Sequence, residues 1–230
     1  MPLEGLTFRG VMWYQGESNA HNLDSYAALW PAMTRQWRKV LRSADGAQLP
    51  FYTCQLSAIG GRPSWGRFRD MQRRLADADE RTYLVVSHDV GEQWNVHPSR
   101  KDVQAQRLAG CILHHEYGCT VAADSPALVE ASVKKGTATL TFNEKLATET
   151  ASVSYPIDLP TANGDWFEIA GRDGLFYPAT ASVRGNTVTL FCPQVDNPVQ
   201  VRYAWRDFTR ATLRGSETGL PVSSFTKQLQ

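Results

Sequence analysis

The first half of the chain alternates between two patterns of hydrophobic positions. Short runs rich in β-branched and aromatic residues predict buried strands, and longer segments with apolar residues every three or four positions predict helices. The strand-like runs lie at 9–15, 50–57 and 82–88, and the helical segments lie at 24–43, 64–79 and 100–117. Strands that alternate with helices indicate an α/β fold in which a parallel sheet is flanked by helices.

The first helical segment carries both a start signal and a disruptive residue. Asp24 or Ser25 is placed to cap its beginning. Pro31 lies inside the apolar pattern, where a proline removes a backbone donor and clashes with the preceding turn. We therefore expect a kink or a late start of this helix.

The pattern changes after about residue 120, where the helical periods end and short strand-like runs follow one another. These runs lie at 138–142, 166–170, 187–192 and 199–205, separated by Gly, Pro, Asn and Asp. They predict a small antiparallel β-sandwich. The segment 122–126 is the expected hinge, which divides the chain into an α/β domain at 1–122 and a β-sandwich domain at 123–230.

Charge and composition exclude some classes of partner. The 230 residues include 24 basic and 23 acidic side chains, for a net charge of +1, and 42% are hydrophobic. This balance gives no electrostatic reason to expect nucleic acid or a membrane surface as a partner. The one basic cluster is expected on the solvent-facing side of the second helix; it consists of Arg67, Arg69, Arg73 and Arg74.

Two further sequence features bear on compartment and cofactors. No stretch approaches the roughly 20 apolar residues that span a bilayer. The start of the chain at 1–5 has no charged region followed by an apolar one, which predicts that no exported form is encoded here. The four cysteines form neither a Cys-x-x-Cys pair nor a Cys/His cluster with metal spacing, so we expect buried thiols, no metal site and no cofactor.

Polar residues follow two of the three predicted strands, at the strand ends where open parallel sheets bind ligands. Gln15, Glu17 and Asn19 surround Gly16 after the first strand, and the third strand leads through Asp89 to a loop that contains His97. A serine alcohol becomes a nucleophile when a histidine accepts its proton and an acid orients that histidine. His97 suits the base. The eight-residue separation from Asp89 does not by itself establish a catalytic pair, because loop histidines are usually exposed and strand-end aspartates usually cap turns.

The segments that contain these polar residues resemble the sequence of a known protein family. The run at 10–20 contains Trp-Tyr-Gln-Gly-Glu-Ser-Asn, and Asp-Val-Gly-Glu at 89–92 leads to Val-His-Pro at 96–98 and Arg-Leu-Ala at 107–109. With Val-Arg-Tyr-Ala-Trp at 201–205, these segments resemble the sialate O-acetylesterase family of the SGNH hydrolase superfamily. The resemblance spans nearly the whole chain and implies a partial flavodoxin-like (SGNH) parallel sheet followed by a β-sandwich.

The resemblance implies roles for individual residues. It makes His97 the general base, Asp89 its carboxylate partner and Gln15 a donor to the oxyanion. Glu17 is a second acid or the true one, and the choice between Asp89 and Glu17 stays open, while Glu92 is expected to hold the loop. The candidate substrate contacts are Trp94 as a wall of the site, Asn19, and Lys101, which could instead pair with a loop carboxylate.

The nucleophile is the main departure from the family. The Gly-Gln-Ser-Asn-Met-like block that carries it there does not occur in this sequence. Ser18 lies in a run that nearly matches a Gly-x-Ser-x-Gly elbow, but Ala20 replaces the last glycine. Ser57, after the second strand, and Ser87, beside Asp89, are no stronger candidates for the nucleophile. We therefore expect a carboxyl-terminal portion of an interrupted esterase, inactive alone, that needs a complementing amino-terminal segment or self-associates through an exposed sheet edge.

The function predicted from the sequence is a metal-independent carbohydrate O-acetylesterase. The name of the family suggests acetylated sialic acid as the substrate, although acetylated xylan and other acetylated glycans suit the same chemistry. The alternative is a non-catalytic carbohydrate-binding or assembly module built on an esterase remnant.

Overall fold

The structure is a computed structural model that describes Leu3 and residues 5–148, 166–209 and 211–229. Met1, Pro2 and Glu4 lie outside the described residues. They belong to the stretch at 1–5 in which the sequence shows no export signal. The helices are α1 (Leu23–Val40), α2 (Trp65–Asp77) and α3 (Lys101–Tyr117). The strands of the first half are β1 (Thr7–Phe8), β2 (Val11–Trp13), β3 (Arg42–Ser43), β4 (Phe51–Cys54) and β5 (Thr82–Val85). Those of the second half are β6 (Leu128–Lys134), β7 (Thr137–Phe142), β8 (Leu146–Thr148), β9 (Phe167–Ala170), β10 (Phe176–Pro178), β11 (Thr180–Arg184), β12 (Thr187–Phe191), β13 (Gln200–Tyr203), β14 (Leu213–Gly215) and β15 (Phe225–Gln228).

A three-stranded parallel sheet forms the centre of the first half, in the order β2-β4-β5. Its middle strand β4 is buried throughout, because helices cover both faces. Phe51 packs into a cluster with Trp30 of α1 and Phe68 of α2, whereas Tyr52 joins a second cluster with Cys111 of α3. The predicted α/β arrangement is confirmed, and β1 and β3 form a separate two-stranded parallel pair.

Helix α1 runs unbroken through Pro31 and begins at Leu23, so the predicted late start is wrong. Its cap is Asn22, whose side chain accepts a hydrogen bond of 3.3 Å from the backbone N–H of Ser25. Packing of Trp30 against Phe51 of the sheet, with ring centroids 5.9 Å apart, holds the helix in place around the proline.

The second half contains two four-stranded antiparallel sheets, β10-β9-β13-β15 and β11-β12-β7-β6. One hydrophobic cluster receives side chains from both, including Leu140 and Val188 from the second sheet and Ile169 and Tyr203 from the first. This shared core is that of a sandwich, as the strand-like runs predict. The division of the chain into domains at 122 and 123 stays a prediction.

The two halves contact each other through a buried arginine. Arg69 of α2 is completely buried, so the prediction that its cluster lies on a solvent-facing helix side is wrong for this residue. Its guanidinium donates to the backbone oxygens of Ala204, Arg206 and Asp207 and to the Ser224 hydroxyl. The nearby Gln55 amide donates to the Ser223 hydroxyl at 2.7 Å, so polar bonds as well as packing join the sheet to the second half.

Candidate active site

Three loops leave the sheet at one edge, because the parallel strands β2, β4 and β5 all end there. A shallow crevice at this edge is lined by residues from all three loops and from the start of α2: Tyr14, Glu17, Ser57, Ala58, Ile59, Trp65, Asn95, Val96 and Pro98. The structure thus brings Glu17 together with the loop segment that carries His97, although 80 residues separate them in sequence.

Gly16 allows the first loop to turn back over the sheet. Its φ of 146° is a conformation that side chains rarely adopt, and a Cβ here would lie 2.6 Å from the Phe68 ring. The short 3-10 turn Glu17–Asn19 follows, which leaves Glu17 half-buried at the crevice. The Gln15 side-chain amide donates to the Asn19 side-chain oxygen at 2.5 Å, so these two candidate residues hold each other.

The loop that carries His97 is held by its own side chains. Glu92 accepts hydrogen bonds from the Ser99 backbone N–H at 2.6 Å and from the Asn95 amide at 3.0 Å, and these bonds lower the pKa of its carboxyl. Asn95 in turn accepts from the backbone N–H of His97 at 2.9 Å. Glu92 therefore holds the loop, as predicted, and the imidazole of His97 is exposed to solvent.

Asp89 lies at the end of β5 with its side chain only 7% exposed. Arg107 donates two hydrogen bonds of 2.7 Å to its carboxylate oxygens, and Arg214 adds a third of 3.1 Å. Burial alone would raise the pKa of Asp89, but the bonds and charge of Arg107 outweigh it and lower the pKa to about 2. Asp89 is therefore ionised at neutral pH.

No hydrogen bond joins Asp89 to His97 within the part of the chain that the structure describes. The role of Asp89 as the partner of His97 accordingly stays a prediction, as does the role of Glu17. The contact of Asp89 with the two arginines was not predicted from the sequence, where Arg214 lies 125 residues away from Asp89.

The candidate substrate contacts lie at the rim of the same edge. Trp94 is 75% exposed on the loop between Asp89 and His97. The ammonium of Lys101 lies 4.3 Å from the centre of the Tyr14 ring and donates to the Tyr14 hydroxyl at 3.0 Å. Tyr14 adjoins Gln15 and lines the crevice, so it is a site candidate that the sequence analysis did not single out.

Two other tryptophans belong to the core. Trp13 packs edge-on against Trp30 and Trp37, and Trp65 is buried with its indole N–H donating to the backbone oxygen of Ser57 at 2.7 Å. Core packing accounts for the positions of both side chains.

The candidate serines differ in exposure. The Ser87 hydroxyl is buried and donates to the backbone oxygen of Gln55, and it also accepts from the Gln104 amide at 3.2 Å. Ser57 is 7% exposed and its hydroxyl lies 3.5 Å from that of Ser87. Ser18 is exposed in the first loop. The hydroxyls of Ser57 and Ser87 are thus bonded to each other and to the protein interior.

Comparison with known proteins agrees with an esterase site on this α/β fold. A family model described as carbohydrate esterase, sialic acid-specific acetylesterase matches residues 2–117. A solved carbohydrate acetylesterase from Xanthomonas citri superposes with a TM-score of 0.84 at 32% identity, over 98% of this chain and 51% of that one. The chain belongs to the sialic acid-specific acetylesterase family of carbohydrate esterases.

Curated relatives extend the similarity beyond the matched α/β half. The sialate O-acetylesterase of Mus musculus is 25% identical over 99% of this chain and 46% of its own length. That of Pongo abelii is 26% identical over 97% of this chain and 46% of its own length. The chain therefore spans about half the length of the relatives that it matches.

Proposed function

We propose that the chain carries the histidine-and-acid part of a serine-type carbohydrate O-acetylesterase that removes acetyl groups from sugars, as sialate 9-O-acetylesterases do. The observation that carries this proposal is the crevice in which the Glu17 turn and the His97 loop meet at the carboxyl end of a parallel sheet. An acid and a base held on adjacent loops are what the activation of a serine alcohol requires.

In this proposal His97 takes the proton of the attacking serine as the acetyl group transfers, and returns it to the leaving sugar oxygen. His97 then activates the water that releases acetate. Glu17 orients His97, because its side chain lines the crevice beside the His97 loop, whereas both carboxylate oxygens of Asp89 accept from arginines. Gln15 donates to the oxyanion once its amide turns from Asn19.

The nucleophile in this proposal comes from an amino-terminal segment that supplies a Gly-Gln-Ser-Asn-like block. The buried bonds of the Ser87 hydroxyl to Gln55 and Gln104 support this origin, because they leave that hydroxyl unavailable to a sugar ester. The edge position of β2 also supports it, since Met12 of this strand is 68% exposed and an added strand would cover it. In the competing explanation, β2 pairs along this edge with a second copy of the chain.

The test measures acetate released from O-acetylated sialic acid and from p-nitrophenyl acetate by three proteins: this chain, a form extended by the serine-bearing segment, and the extended form with His97→Ala. Activity in the extended form that His97→Ala abolishes supports the proposal. Activity of this chain alone would place the nucleophile within the 230 residues and overturn the two-part site.

The identity of the acid is tested in the extended form with Glu17→Gln and Asp89→Asn. Glu17→Gln is expected to lower kcat by two to four orders of magnitude, as loss of an orienting carboxylate does, while the fold is unchanged. A larger loss of kcat in Asp89→Asn than in Glu17→Gln, measured at a temperature where circular dichroism shows both variants folded, would assign the acid to Asp89 instead.

A further inference from the structure

Three metal-binding side chains converge at the far end of α3, away from the crevice. Cys111 and His115 are four residues apart and therefore lie on one face of the helix. Asp124 comes from the segment between α3 and β6. The Cys111 sulfur, a ring nitrogen of His115 and a carboxylate oxygen of Asp124 all lie within 4.8 Å of one another.

The arrangement is already partly organised. The Nε2 atom of His115 lies 2.9 Å from the Asp124 Oδ1 atom, so two of the three ligand groups already contact each other. The His115 ring stacks on Tyr83 with centroids 3.8 Å apart, which limits its rotation. Asp124 and Tyr83 also line an open cleft between β5 and the second half of the chain, so the Asp124 carboxylate is reached from solvent.

Thiolate, imidazole and carboxylate together are a ligand set for zinc. Zinc bonds of roughly 2.0–2.3 Å to these atoms place tetrahedral ligands about 3.3–3.8 Å apart. The widest separation of 4.8 Å must therefore close by about 1 Å, and the His115–Asp124 contact of 2.9 Å must open slightly. Asp124 can make this movement, because its side chain is 60% exposed on a connecting segment, whereas Cys111 is fully buried. Soft sulfur and nitrogen ligands select zinc over magnesium or calcium.

We propose that Cys111, His115 and Asp124 form a zinc-type site in which water takes the fourth position. As zinc binds, the Cys111 thiol loses its proton to solvent, and His115 coordinates through Nε2 with its ring proton on Nδ1, so the metal replaces the Nε2 hydrogen bond to Asp124. Cys111 lies ten residues after Lys101 in α3, which is about 15 Å along the helix at 1.5 Å per residue. At this distance from the crevice the ion does not enter the esterase reaction. It instead joins α3 to the segment that leads to β6.

The test is titration of chelator-treated protein with Zn²⁺ by calorimetry and with Co²⁺ by absorption. We expect one ion per chain, a thiolate-to-cobalt charge-transfer band, and a rise in Tm with Zn²⁺. Asp124→Asn and His115→Ala are expected to weaken binding at least tenfold, and Cys111→Ser is expected to remove the charge-transfer band.

Matched controls use neighbours outside the cluster. The Nδ1 atom of His114 lies 3.1 Å from the backbone oxygen of Cys119, and neither side chain belongs to the cluster. The variants His114→Ala and Cys119→Ser are each expected to bind both ions as the parent does. A dissociation constant for Zn²⁺ above 1 mM, or binding that Asp124→Asn leaves unchanged, would overturn the proposal. Loss of binding in Cys119→Ser would also overturn it. Because Asp124 is exposed, its variant keeps the test valid even if Cys111→Ser does not fold.

Discussion

Arg214 of β14 donates a hydrogen bond of 3.1 Å to Asp89, which lies just beyond β5 in the other half of the chain. Arg107 of α3 holds the same carboxylate with two bonds of 2.7 Å. The start of the loop that carries His97 is thereby attached to a helix of the α/β half and to a strand of the antiparallel half. This attachment links the second half to the candidate site, although the second half contributes no residue that lines the crevice.

The first prediction concerns the loss of Arg107. Arg107→Ala leaves the Asp89 charge buried with one arginine, so the free energy of unfolding is expected to fall by about 3–5 kcal/mol in urea titration. Arg100→Ala is the control, because its pair with Asp102 is exposed, and its effect is expected to stay within about 0.5 kcal/mol. Equal effects of the two substitutions would contradict a structural role for the Asp89 cluster.

The second prediction concerns acid stability and His88, which is fully buried with Nε2 2.8 Å from the Val222 backbone oxygen. Burial lowers the pKa of His88 to about 4, although the neighbouring Asp89 charge opposes this shift. The unfolded chain, with a histidine pKa of about 6.5, then binds more protons than the folded protein between those values. Stability is therefore expected to decrease by about 3 kcal/mol as the pH falls from 6.5 to 4.

His88→Gln tests this prediction, because glutamine can still donate to Val222 but does not titrate. Unfolding free energies measured at several pH values between 4.5 and 7 should lose most of their slope in this variant. The exposed His21→Gln is the control and should keep the slope of the parent. The contribution of Asp89, whose pKa is lowered to about 2, is lost only below about pH 4 and does not overlap this window.

The third prediction concerns the turn before Glu17. Gly16→Ala places a methyl group against the Phe68 ring at a φ of 146° and should displace the segment from Gln15 to Asn19. Gly46→Ala is a control with a positive φ of 72° but no atom within 4 Å, which separates backbone strain from the clash. Gly46→Ala should cost about 1–2 kcal/mol of unfolding free energy, and Gly16→Ala about 1–3 kcal/mol more.

The fourth prediction rests on the proposed function and uses the serine-bearing extended form. If Lys101 contacts the carboxylate of a sialic acid, Lys101→Met should raise KM for O-acetylated sialic acid about tenfold, since bonds to charged groups contribute about 1.5–3 kcal/mol. KM for a neutral acetylated xylose and kcat for both substrates should not change. Lys134→Met on the exposed face of β6 is the control. A parallel rise in KM for the neutral sugar would show that Lys101 acts only by positioning Tyr14.

Local patterns in the sequence predicted most of the fold. The three helices follow from apolar positions three or four residues apart, and the central strands follow from short runs of β-branched and aromatic residues, of which β4 is buried on both faces. The crevice loops were also predicted, since parallel strands must end at one edge and Gly16, Glu17 and His97 follow such ends. These signals need no knowledge of which residues meet from distant parts of the chain.

The partners of charged side chains depended on the tertiary structure. Arg69 has the sequence context of a solvent-facing helix residue, yet the backbone oxygens of 204–207 surround it because the second half packs there. The arginine partners of Asp89 and the approach of Asp124 to Cys111 and His115 come from the same packing. The sequence by itself determined which elements form and which residues follow their ends, whereas the charge contacts were decided only when distant segments folded together.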